Sequence, residues 1–144
     1  MKTMRILKPF RDSTQLWKGL EEDGMRRKVF KIVTEERLGA KNLTAGITIF
    51  EPDEGCEPHI HPGSEEVHLI LRGSGIAHDM TNGIEIRYTE GDWIFIPKDI
   101  LHRHYNDGDE TLWLLWCYAP PGEPTDENGE VIDMSGRDRA GPVD

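Results

Sequence analysis

The stretch "CEPHIHPGSEEVHLILRG", Cys56 to Gly73, carries three of the chain's six histidines and three glutamates before running into apolar sequence. His59 and His61 are two positions apart, so on an extended chain both imidazoles project from the same face. Two nitrogen donors converging on one point begin a transition-metal site. The Pro62-Gly63 pair marks a turn, and a carboxylate beyond it can fold back beside the histidines. Glu65 and Glu66 are both available for that place. A fourth donor has to come from elsewhere, and "HRHYN" (102–106), following Pro97, supplies candidates.

Outward from this segment the chain reads as strand and turn. "KVFKIV" (28–33), "LTAGITIF" (43–50), "EVHLILRG" (66–73), "GDWIFIP" (91–97) and "TLWLLWCY" (111–118) are short runs rich in β-branched and aromatic residues. Asn82-Gly83 lies between two further candidate strands within 75–88 and predicts a hairpin. Turn clusters recur every 8 to 12 residues or so, the rhythm of a sandwich or barrel. The one helical candidate is "STQLWKGLEEDG" (13–24), with Ser13 as its cap. No repeat of 20 to 50 residues is evident.

The length of 144 residues fits one domain. With 17 basic and 27 acidic side chains the net charge is −10, a field that repels nucleic acid and anionic lipid. The stretch 120–144 holds seven acidic and two basic residues and reads as a solvated, irregular tail. Two cysteines make no disulfide framework, so Cys56 and Cys117 are expected as free thiols, Cys117 in the core. The first residues lack the apolar run of a signal peptide, and no apolar stretch approaches a membrane span. A cytoplasmic location is the expectation.

At this point the sequence resembles the cupin superfamily. The first cupin motif is matched by His59-x-His61, four residues, Glu66, six residues, Gly73. The second is matched by Gly91, five residues, Pro97, then His102, three residues, Asn106. Seventeen residues separate Gly73 from Gly91, a short loop typical of microbial members. Two glycines of the pattern are replaced, by Asp53 and Asp99. The motifs cover about 53–106, and flanking strands extend the match over 28–119. The resemblance implies an all-β fold, a double-stranded β-helix (jelly-roll) barrel in a single domain, often a homodimer. It implies metal ligation by His59, His61, Glu66 and His102, choosing Glu66 over Glu65. The metal would be a single divalent transition ion: Fe, Mn, Ni, Zn or Cu.

Residue parity adds a second layer. If Glu66 faces inward, His68 and Ile70 share its face, while Val67, Leu69 and Leu71 pack outward against the second sheet. His104 shares the face of His102. His68 and His104 are therefore candidates to orient a ligand, bind substrate or move a proton. His78 has no such alignment. Trp93, Trp113, Trp116, Arg72, Arg87 and Arg103 are candidate pocket residues, with parity leaving open whether Trp113 or Trp116 faces inward. The expected activity is that of a metal-dependent enzyme on a small organic molecule, with a dioxygenase ranked above an isomerase, lyase or decarboxylase. A non-catalytic module binding a small carboxylate or sugar is the alternative. A helix-turn-helix regulator with a cupin sensor is not expected, with 27 residues before the first predicted strand.

Overall fold

In the computed structural model, residues 2–18, 25–132 and 137–138 are described. Alternating apolar runs become two antiparallel sheets packed face to face. The larger contains β1 (Thr14–Lys18), β2 (Arg27–Val33), β3 (Thr44–Phe50), β4 (Glu65–Arg72), β7 (Trp93–Ile96), β9 (Leu112–Ala119) and β10 (Arg137–Asp138). Its order is β10-β1-β2-β3-β9-β4-β7. The smaller contains β5 (Ser74–Asp79), β6 (Ile84–Thr89) and β8 (His102–Tyr105), in the order β6-β5-β8. One turn of helix, α1 (Glu35–Leu38), links β2 to β3.

The strand positions follow from side-chain alternation. In β4, Glu66, His68 and Ile70 are buried, while Val67, Leu69 and Leu71 are half-buried on the opposite face. The inner faces enclose Val29, Phe50, Ile70, Ala77, Ile94, Leu112, Leu114 and Trp116. The outward residues of β4 do not meet the smaller sheet, because that sheet covers the inner face. Leu71 instead joins an outer cluster of Phe30, Ile47, Ile49, Ile32 and Trp113, covered by Phe10. Phe10 meets Phe30 and Trp113 edge-to-face at centroid distances of 5.1 and 5.4 Å.

The stretch expected as a helix from Ser13 is a strand as far as Lys18; residues 19–24 lie outside those described. Tertiary pairing overrides its weak helical pattern: five residues of β1 pair antiparallel with β2, and Leu16 is buried in the barrel. The Asn82-Gly83 hairpin forms between β5 and β6, with Gly83 at φ 67° and Asn82 N–H donating to Asp79 Oδ1 at 2.9 Å.

Several motif residues have structural tasks. Gly73 has φ 81°, and a Cβ there would lie 2.5 Å from the Thr111 carbonyl oxygen. Asn106 is fully buried; its amide donates to the carbonyls of Phe50 and Glu110, and its oxygen accepts from Gly108 N–H. It ties the loop after β8 to the end of β3. Asp53 and Asp99, standing where the cupin pattern has glycine, have φ of 66° and 65°. The left-handed backbone has been kept although the glycines have not.

The stretch after β9 does more than trail into solvent. Ile60 and Thr125 exchange backbone hydrogen bonds at 2.8 Å in both directions, and Ser64 Oγ donates to Pro120 O at 2.5 Å. Pro124 is buried. Residues 120–132 thus cross the mouth of the barrel beside the His59–His61 segment.

Candidate metal centre

The first motif's histidines are held by an isolated bridge between His59 and His102, which joins the 56–61 segment to β8. Glu66 and His68 come from β4, His102 and His104 from β8. One ligand atom from each of His59, His61, Glu66 and His102 can be chosen so that all four lie within 4.8 Å of one another. Four donors about 2.1 Å from a shared ion would be separated by at most about 4 Å, so small movements suffice to close the set. Glu66 is buried, whereas Glu65 is exposed.

The hydrogen bonds of the imidazoles support a cation at the centre. His59 Nδ1 lies 2.9 Å from the Glu57 carbonyl oxygen, and His102 Nδ1 lies 2.8 Å from that of Ile100. A carbonyl only accepts, so both Nδ1 atoms carry the proton and a neutral ring turns its Nε2 lone pair inward. His102 Nε2 then faces Glu66 Oε1 at 3.1 Å, lone pair against carboxylate oxygen. A proton or a metal ion between them removes the repulsion. His61 Nε2 is 3.3 Å from Glu66 Oε2. Chemically, three imidazoles and one carboxylate suit a divalent transition ion.

Electrostatics favour the ligating protonation states. Burial lowers His59, and it pushes His61 down to about 3. For Glu66 burial acts upward, but the surrounding histidines, His68 first among them, outweigh it and hold the carboxyl well below its ordinary value. Neutral imidazole and ionised carboxylate are the metal-binding forms.

Behind the four lies a second histidine pair. His68 Nε2 is 2.9 Å from Glu66 Oε1, and His104 Nδ1 is 3.0 Å from the Tyr88 hydroxyl. Their ring centroids are 4.7 Å apart. His68 Nδ1 and His104 Nε2 are buried and have no hydrogen-bond partner. Burial drives His104 well below the ordinary histidine value and raises Tyr88, so both are neutral. His78 sits apart, beside Glu85 and Arg103. The thiol of Cys56 is buried against the His104 backbone, with His104 N–H 3.2 Å from Sγ, and burial raises its pKa. Both cysteines are free, and Cys117 is half-buried on the outer face.

The pocket is lined differently from expectation. Trp116 faces in, its Nε1–H donating to Thr48 Oγ1 at 2.9 Å, while Trp113 faces out and Trp93 is exposed. Arg72, Arg87 and Arg103 do not line it; Arg87 pairs with Asp107 on the surface. Three groups at the pocket escape sequence reasoning. Tyr118 stacks on His61 at 4.3 Å. Arg27 makes a bidentate pair with Glu57 at 2.7 and 2.8 Å, and Glu57's carbonyl in turn orients His59. The mouth-crossing segment contributes Gly122, Glu123, Pro124 and Ile132. Only the inward parity of β2 and β9 hints at the first two.

A family model described as "Cupin domain" matches residues 46–118, half of the chain. The chain belongs to the cupin family. Similar sequences include Protein SchB of Streptomyces halstedii, 29% identical over 112 residues and covering 78% of each chain. Polyketide synthase CurC of Streptomyces cyaneus is 29% identical over 89 residues, 62% of this chain and 56% of that one. Among solved structures, a predicted oxalate decarboxylase from Thermotoga maritima superposes with a TM-score of 0.67 at 21% identity, covering 80% of this cupin and 98% of that chain. The polyketide cyclase RemF from Streptomyces resistomycificus gives 0.65 at 21% identity, covering 88% and 85%. At those identities the likeness concerns the barrel. Among the described residues, no helix is long and apolar enough to cross a membrane.

Proposed function

We propose that this cupin is a metal-dependent enzyme acting on a small organic molecule that chelates through oxygen. The observation that carries the reading is the convergence of His59, His61, Glu66 and His102, with two of the imidazoles fixed by backbone carbonyls so that Nε2 faces the centre. A divalent ion held there supplies Lewis acidity to a substrate carbonyl or hydroxyl oxygen. Its identity among Fe, Mn, Ni, Zn and Cu follows cellular supply as much as donor chemistry.

The protein's own residues provide the rest. Val29, Phe50, Leu114 and Trp116 wall the pocket and keep water from the substrate's carbon skeleton. His68, donating from Nε2 to Glu66, presents a Nδ1 lone pair able to take up a proton. The Tyr88 hydroxyl and His104 Nδ1 share a hydrogen bond, which leaves His104 Nε2 unpartnered and able to meet a substrate oxygen or exchange a proton. Two unpartnered imidazole nitrogens beside the centre favour proton-transfer chemistry of isomerase, lyase or decarboxylase type. The names of the oxalate decarboxylase and polyketide cyclase neighbours are in keeping with this. The dioxygenase reading would need an ion held by these four residues to take up dioxygen beside the substrate. Oxygen uptake over a panel of diketones, hydroxy acids and oxo acids separates the two. Turnover without uptake supports proton transfer, whereas stoichiometric uptake supports the oxygenase. Binding without turnover would indicate a carrier or sensor.

We also propose a homodimer through the outer face of β4, β7 and β9. Trp93 and Phe95, 69% and 60% exposed, stand beside Leu69 and Val67 on the sheet's edge strand β7.

A further inference from the structure

The charged side chains around the pocket are Arg27, Lys31, Glu57, Glu66 and Glu123. Arg27 is matched by Glu57, and Glu66 belongs to the metal centre. Glu123 is exposed at the mouth. Lys31 is half-buried and, among the described residues, makes no hydrogen bond or ion pair. Its stem lies in the pocket wall, and among the described residues no carboxylate pairs with its ammonium, so an anionic group entering the pocket finds a cation not already matched.

Sheet register fixes where it points. His68 pairs with Trp116, Trp116 with Gly46, and Gly46 with Lys31, one continuous row across β4, β9, β3 and β2. Directly opposed residues share a face, so Lys31 projects into the same interior as His68. Three strand spacings separate them, about 14 Å along the curved sheet. The floor between them is aromatic. At Gly46 a Cβ would lie 2.2 Å from the Phe30 carbonyl oxygen and 2.5 Å from the Trp116 ring, so the indole covers that position. Trp116 stacks with Tyr118, and Tyr118 with His61, so ring faces run from beside Lys31 to the metal centre.

We infer that Lys31 binds an anionic group, a carboxylate, at the end of the substrate remote from the metal. The inference rests on the reading that an oxygen chelate occupies the metal centre, and adds that the chelate carries a second charge across the aromatic floor. A charge-assisted hydrogen bond of this kind gives about tenfold or more in affinity.

The test uses full-length protein loaded with Mn(II) and a series of 2-oxo diacids: 2-oxoglutarate, 2-oxoadipate and 2-oxopimelate. Each is paired with the 2-oxo monoacid of equal chain length. Affinity is read by calorimetry, and displacement of metal-bound water by proton relaxation. The best diacid is expected to bind at least about tenfold more tightly than its monoacid. That advantage disappears in Lys31→Met and survives in Lys31→Arg, with melting temperature and Mn content confirming that both variants fold. Equal binding of diacid and monoacid by the parent protein, or a preference untouched by Lys31→Met, overturns the inference and leaves the chelation reading standing. Protein that holds no Mn(II), or whose bound water no oxo acid displaces, overturns both.

Discussion

His102 Nε2 lies 3.1 Å from Glu66 Oε1 while His102 Nδ1 is already committed to the Ile100 carbonyl. The pair is an acceptor facing an acceptor unless a cation lies between. Replacing the carboxylate therefore separates metal binding from folding. In Glu66→Gln, the amide oxygen keeps the contact to His68 and its amino group can donate to His61. Metal retention is expected to fall by at least about a hundredfold, while the metal-free variant melts at or above the parent's temperature. Atomic absorption and calorimetric melting read the two effects; full metal retention in the variant contradicts the assignment.

Acid should destabilise the metal-free protein. His59, His61 and His104 are held below the ordinary histidine value by burial, His61 moving from 6.5 to about 3. The unfolded chain therefore binds more protons below pH 6.5, and the stability these neutral rings contribute is present above that pH and lost as pH falls toward 3. Glu66, held below its ordinary 4.5, acts in the same direction at lower pH. Each such histidine contributes a slope of at most about 1.4 kcal/mol per pH unit. Urea midpoints at pH 7.5 and 5.0 measure the effect. Equal midpoints would mean the rings are not buried neutral.

Asp53 and Asp99 hold left-handed backbone at φ 66° and 65°. Asp53→Gly is expected to stabilise by about 0.5 to 1 kcal/mol, since glycine adopts that conformation without Cβ strain. Asp99→Gly gains less, because Asp99 Oδ1 accepts from the Gly63 backbone N–H at 3.1 Å, whereas Asp53 Oδ1 loses only the longer, exposed 3.3 Å bond from the Tyr105 hydroxyl. Chemical denaturation checks both, and a Gly variant less stable than its parent at position 53 contradicts the argument.

The outer face of β7 predicts the solution state. Light scattering should give a dimer for the parent protein and a monomer for the double variant Trp93→Glu and Phe95→Glu, with metal content preserved. A monomeric parent, or a dimer unaffected by both charges, removes this face as the interface.

Period-two alternation and turn signals made the strands and the shared face of His59 and His61 legible, whereas the choice of Glu66 and His102 as the remaining donors came from the resemblance to the cupin motifs. Parity likewise put His68 and His104 inside. It could not choose between Trp113 and Trp116, because every strand has two faces and only packing names the inner one. Arg27 and Tyr118 were missed for a related reason: they reach the site from β2 and β9, at least 30 residues from their partners Glu57 and His61. The acidic composition of 120–132 hid its bridge to Ile60, a pairing of backbone groups that no side-chain pattern announces. The misread helix at Ser13 became a strand because β2 offered it a partner.

The central claim is that His59, His61, Glu66 and His102 hold a metal ion, and the most direct measurement is metal content of tag-free protein purified without a metal-affinity column. The parent is expected to carry, or to take up from added divalent salts, about one transition ion per chain, with His59→Ala and His102→Ala each losing it while remaining folded. A parent that is metal-free and refuses every added divalent ion, or alanine variants that retain the metal in full, would contradict it.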